Sequence, residues 1–148
     1  MGNPQILVLC TGNSARSQMA AAYLRRDAGD TFDVYSAGTE PAPEVHPLAR
    51  RVLLEEGLEL GDEHPKDYRQ YLGHLAPRVL IIVCDGAAKS CPAVWPGVVE
   101  RLLWPFEDPA AADGGEEERL AVFRRVRDEI ADRVRSWVAA RSPERASA

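Results

Sequence analysis

The sequence predicts a single α/β domain, a four-stranded parallel sheet flanked by helices on both faces, and three observations support that class. Two short uninterrupted apolar runs, Ile6 to Leu9 and Val79 to Val83, have the pattern of strands covered on both sides. Segments with helical spacing of apolar residues alternate with the strand-like runs. The connections are short, which predicts right-handed crossovers between parallel neighbours.

Ile6 to Leu9 forms the first strand. Ser17 to about Ala28 places Met19, Ala20, Tyr23 and Leu24 on one helical face, with arginines opposite and Gly29 as a stop. Phe32 to Ala37 reads as a second strand ended by Gly38. Pro41, Pro43 and Pro47 mark a loop, and Leu48, Val52, Leu53 and Leu58 predict a helix from near Pro47 to around Gly57. Residues 61–77 are polar, contain Pro65 and Pro77, and predict only weak local helix. Arg78 to Cys84 is the strongest buried-strand signal. Asp85 to Gly97 reads as a loop with room for a short helix, and Arg101 to Trp104 as the fourth strand. Glu116, Glu117 and Glu118 put negative charge on the first turn of a last helix. Its apolar residues Leu120, Phe123, Val126, Ile130, Val134 and Trp137 keep the 3–4 spacing, and fraying is expected from about Ser142.

The 148 residues suit one domain spanning 1–148. A net charge of −5 creates no field that would draw nucleic acid or an anionic membrane, so any anion site must be local. Arg25-Arg26, Arg50-Arg51 and Arg124-Arg125 lie among acids and read as solvated helix faces. No run approaches the roughly 18–20 apolar residues of a membrane span, and no secretory segment opens the chain, so a cytoplasmic protein is expected; separately, a monomer is the favoured state. Three cysteines, Cys10, Cys84 and Cys91, cannot all pair with one another. A zinc site is disfavoured, because there is no Cys-x2-Cys pair and His46, His64 and His74 do not stand at ligand spacing.

The residues with the clearest chemistry are Cys10-Thr11-Gly12-Asn13-Ser14-Ala15-Arg16-Ser17. Consecutive backbone N–H groups leading into a helix N-terminus form a concave anion site, and Gly12 gives the loop access to unusual backbone angles. Arg16 adds a planar fork of donors suited to a tetrahedral oxyanion, and the same surroundings predict a lowered pKa for a nucleophilic Cys10. The loop lacks the Gly-x4-Gly-Lys pattern of nucleotide sites. Cys-x5-Arg alone leaves a buried strand-end cysteine and a surface arginine as a competitive reading. Its place between an apolar strand and a helix disfavours that reading.

This loop resembles the active-site loop of the low-molecular-weight protein tyrosine phosphatase fold, and most closely that of the arsenate reductases coupled to thioredoxin. The likeness extends over Tyr35-Ser36-Ala37-Gly38, Trp104-Pro105-Phe106-Glu107-Asp108-Pro109 and Phe123 to Ile130. It implies that Thr11 to Ser17 hold arsenate, with phosphate or sulfate as mimics, and that Cys10 attacks it. Asp108 would act as general acid, kept protonated by partial desolvation, with Glu107 a distant second. The resemblance further implies that Cys84 attacks the arsenylated Cys10, releasing arsenite, and that Cys91 then takes over the disulfide, which thioredoxin reduces. No bound cofactor is implied. Residues 84 and 91 on one helix would lie about 10 Å apart at 1.5 Å per residue. A disulfide needs less than about 7 Å, so the segment with Gly86, Ala87, Ala88 and Pro92 must unwind or loop.

Ala15 replaces a cysteine of several relatives, and Ala21 replaces a glutamate that helps some of them bind potassium, which leaves cation dependence open. Asn13 and Ser17 match residues that order the loop, and Asp67 is a candidate further member of that network. Two alternatives remain. A tyrosine phosphatase would need Cys10, Arg16 and Asp108 but neither other thiol, yet Ala110-Ala111-Ala112 stand where such enzymes carry aromatic residues. An oxyanion-sensing domain would leave the redox thiols without a purpose.

Overall fold

In a computed structural model the chain is described over residues 2–84, 95 and 97–147, the last six as backbone only. The described elements are β1 (Gln5–Cys10), α1 (Arg16–Ala28), β2 (Asp33–Gly38), α2 (Pro47–Leu54), β3 (Val79–Ile82), β4 (Glu100–Leu103) and α3 (Glu116–Ser147). Single turns of 3-10 helix lie at Tyr68–Tyr71 and Pro109–Ala111. The strands form one parallel sheet in the order β2-β1-β3-β4, as the alternation of elements predicts. Stretch 85–94, with Cys91 and the predicted loop and short helix, lies outside the described residues.

β1 has a hydrogen-bonded neighbour on each side, and Ile6 to Leu9 are fully buried, which is why this strand is apolar without alternation. Register puts Ile6, Val8, Val79, Ile81 and Leu102 on one face of the sheet. There the Trp137 ring of α3 meets Trp104 edge-on at 6.3 Å, and its indole N–H donates to Glu100 at 3.3 Å. α1 packs beside α3. The opposite face carries Leu7, Leu9, Tyr35, Leu80 and Ile82. Tyr35 meets Tyr71 of the first 3-10 turn at 5.7 Å, and the Trp95 indole donates to the Leu75 carbonyl at 3.1 Å.

Three boundaries differ from those predicted. α2 stops at Leu54, and the chain reaches Gly57, at φ 76°, through a turn. β3 ends at Ile82, so Cys84 stands two residues beyond the last paired position. α3 continues as helical backbone to Ser147, past the fraying expected from Ser142. This stretch includes Pro143, which has no N–H to give to the helical ladder.

Candidate active site

The loop between β1 and α1 is shaped by where its carbonyls go. Cys10, Thr11, Gly12 and Ser14 accept bonds from the backbone N–H groups of Thr39, Glu40, Ala42 and His46, at 3.2, 2.9, 2.9 and 2.9 Å. Asn13 O accepts from the Gln18 side chain at 3.0 Å, and Ala15 O from Met19 N at 2.9 Å. A trans peptide sets C=O and N–H in opposite directions, so anchoring the carbonyls outward turns the N–H groups towards the concave side. An arrangement of this kind can present several N–H groups to one tetrahedral anion.

The unusual angle falls on Asn13, at φ 52°, and not on Gly12, which the sequence assigned to that role. Asparagine tolerates this conformation, and here the fully buried side chain donates to Ser17 Oγ at 2.7 Å and accepts from Lys66 N–H at 2.9 Å. Gly38, opposite Cys10 in the sheet, is required for closeness: a Cβ there would sit 2.5 Å from Thr11 O. Gly38 N–H also donates to Lys66 O at 2.7 Å. The 64–67 segment is thus the back wall of the cradle. Asp67 serves it through its backbone, in a bridge with Gly38, while its carboxylate is taken up by Arg69 at 2.6 Å. That carboxylate is held at about 2 by Arg69.

Cys10 and Cys84 are both buried, 3% exposed each. Thr11 holds Cys84 Sγ with its N–H at 3.1 Å and its hydroxyl at 3.3 Å, which sets the second cysteine against Cys10. The predicted lowering of the Cys10 pKa is overturned in this state. The Cys84 hydrogen bond and burial push the thiol far above its ordinary value, while Arg16 and the Thr11 N–H pull in the other direction. The sequence reading weighed the helix end and the arginine, and it placed Cys84 near Cys10 without counting its effect on the first thiol.

Arg16 opens α1, and its Nη1 donates to Phe106 O at 3.1 Å. Its Nη2 lies 3.7 Å from Asp108 Oδ2, with the aspartate side chain 45% exposed. Asp108 Oδ1 accepts from Ala110 N–H at 3.0 Å, which caps the second 3-10 turn and fixes the carboxylate beside the cradle. Glu107 is held elsewhere, by Arg125 at 2.7 Å. Sequence reasoning missed Gln18, Lys66 and His46. Gln18 left one signal, a polar residue on the inner face of α1, and its amide N–H groups reach both Asn13 O and His64 O. Among the described residues no group of three or more His, Cys, Asp or Glu could hold a metal ion, and no helix is long and apolar enough to cross a membrane.

Residues 5–146 match the low molecular weight phosphotyrosine protein phosphatase family. The arsenate reductase of Halalkalibacterium halodurans is 44% identical over 137 residues, 93% of this chain and 96% of that one. An arsenate reductase solved in its phosphate binding state superposes with a TM-score of 0.77 at 27% identity, over 93% of this chain and 98% of the other. A thioredoxin-dependent arsenate reductase of Corynebacterium glutamicum gives 0.72 at 31% identity, over 96% of this chain and 63% of that one.

Proposed function

Since the chain belongs to the low molecular weight phosphotyrosine protein phosphatase family, we propose that it is its arsenate-reducing kind, detoxifying arsenate as a cytoplasmic monomer regenerated by thioredoxin. One observation carries the choice of reductase over hydrolase. A second cysteine, Cys84, is docked on Thr11 beside Cys10, a placement phosphate-ester hydrolysis does not need.

The cradle N–H groups and the Arg16 fork bind arsenate, and Cys10 Sγ attacks arsenic. A sulfur–arsenic bond forms, an arsenic–oxygen bond breaks, and the oxygen leaves as water, protonated by Asp108. Cys84 Sγ then attacks Cys10 Sγ. The sulfur–arsenic bond breaks with its electron pair on arsenic, so As(V) becomes As(III), arsenite departs, and the two cysteines form a disulfide. Cys91 attacks Cys84, releases Cys10 as a thiolate, and leaves the Cys84–Cys91 disulfide for the thioredoxin dithiol to reduce. The Cys84-x6-Cys91 spacing supports this last exchange. Weak hydrolysis of phosphate monoesters is an expected side activity, since the first step is shared.

The test is arsenate-dependent NADPH oxidation with thioredoxin and thioredoxin reductase. Wild type should turn over, Cys10→Ser and Cys84→Ser should be inactive, and Cys91→Ser should stop after one turnover. Full steady-state activity in Cys91→Ser would sink the three-thiol relay. Robust phosphate-ester hydrolysis with no arsenate-dependent oxidation would make the protein a phosphatase.

A further inference from the structure

His46 sits where the chain leaves the cradle wall and enters α2. Its backbone N–H donates to Ser14 O at 2.9 Å, and Ser14 C=O shares a peptide plane with Ala15 N–H. Whatever holds that carbonyl outward therefore aims the Ala15 N–H into the cradle. The His46 carbonyl accepts from Ala49 and Arg50 at 3.0 and 3.2 Å, and ring Nδ1 accepts from Leu48 N–H at 3.1 Å. With Pro47 supplying no N–H, one residue satisfies every orphan donor in the first turn of α2. The ring also packs 4.7 Å from that of Phe123 on α3, which fixes where the corner lies.

We infer that His46 is a positioning residue of the oxyanion cradle, acting through Ser14, and that it works only as the neutral imidazole. The geometry sets this requirement. Nδ1 can accept from Leu48 only with a free lone pair, so the neutral ring carries its proton on Nε2. Protonation removes the cap and puts a cation at the positive end of the α2 dipole. The charges around the ring are divided: Arg119 on α3 opposes the cation, while Asp108 on the acid loop and Glu44 on its own segment favour it. Burial is the largest influence, and together with Arg119 it holds the imidazole below its ordinary pKa, so the cap is intact at neutral pH. In acid the corner loosens, Ser14 loses its donor, and the cradle loses an aligned N–H.

The inference rests on the cradle binding an oxyanion, and sulfate is the probe because its double charge does not change over the range used. Calorimetric titration of the reduced full chain at neutral and mildly acid pH would compare wild type, His46→Asn and His46→Leu. Asparagine caps a helix without titrating, so this variant should bind like wild type at neutral pH and keep that affinity in acid relative to wild type. Leucine should be weaker at neutral pH by about fivefold, the worth of one backbone hydrogen bond. Wild type should fall towards the leucine variant as the pH drops. Parallel pH profiles for wild type and His46→Asn, or equal neutral affinities for wild type and His46→Leu, would overturn the role of His46. Sulfate binding by none of the three would overturn the cradle itself.

Discussion

Two influences oppose each other at Cys10. Arg16 and the Thr11 N–H favour its thiolate, while Cys84 and burial favour the thiol, and the second pair prevails. Cys84→Ala removes the largest raising influence. Alkylation by iodoacetamide, followed against pH, should then show the Cys10 midpoint displaced to lower pH, with about a tenfold gain in neutral-pH rate for each unit of displacement. An unchanged midpoint would mean that the two thiols do not communicate. Asn13 shows a similar balance. Its left-handed backbone costs about 1–2 kcal/mol, which two side-chain hydrogen bonds of about 1 kcal/mol each, one buried and one part-buried, offset.

Between elements, the corner that carries His46 is steadied from the far end of α2. Arg127 of α3, 8% exposed, donates to Val52 O and to Glu55, both at 2.9 Å, and Arg124 grips the same Glu55 at 2.6 Å. The Arg124 hydrogen bond above all, with Arg127, holds the Glu55 carboxyl at about 2 against 4.5 when free. A folded-state pKa below the unfolded one means stability that is complete above about pH 4.5 and lost as the pH falls towards 2. Glu55→Gln should therefore be less stable than wild type at pH 7 in urea denaturation, with the gap closing as the solution is acidified through that window. Exposure and salt screening keep the gap small. The sequence assigned Arg124, with Arg125, to a solvated face and gave Arg127 no role, because a partner beyond the helix itself leaves no periodic trace.

For the molecule as a whole, a cradle whose carbonyls are anchored outward should bind anions with little rearrangement, and binding to the folded chain alone raises stability. Sulfate at a hundredfold excess over its Kd should add about 2.7 kcal/mol, read as an increase in Tm. Arg16→Lys keeps the charge but loses the fork, so the same sulfate concentration should raise Tm less. Much of this architecture was legible because it is written locally: uninterrupted aliphatic runs for β1 and β3, and Cys10 with Arg16 on either side of a strand-to-helix loop. What could not be read is written across the chain. Lys66 closing on Asn13, His46 on Ser14 and Cys84 on Thr11 are pairings 53, 32 and 73 positions apart, fixed only by the packed sheet. That same sheet acts as a ruler for the sulfur chemistry. β1 and β3 are locked with Leu9 opposite Ile82, and each delivers a cysteine just past this rung. One residue inserted between Ile82 and Cys84 would move a sulfur by about 3.3 Å along the strand, farther than a disulfide of about 2.05 Å is long.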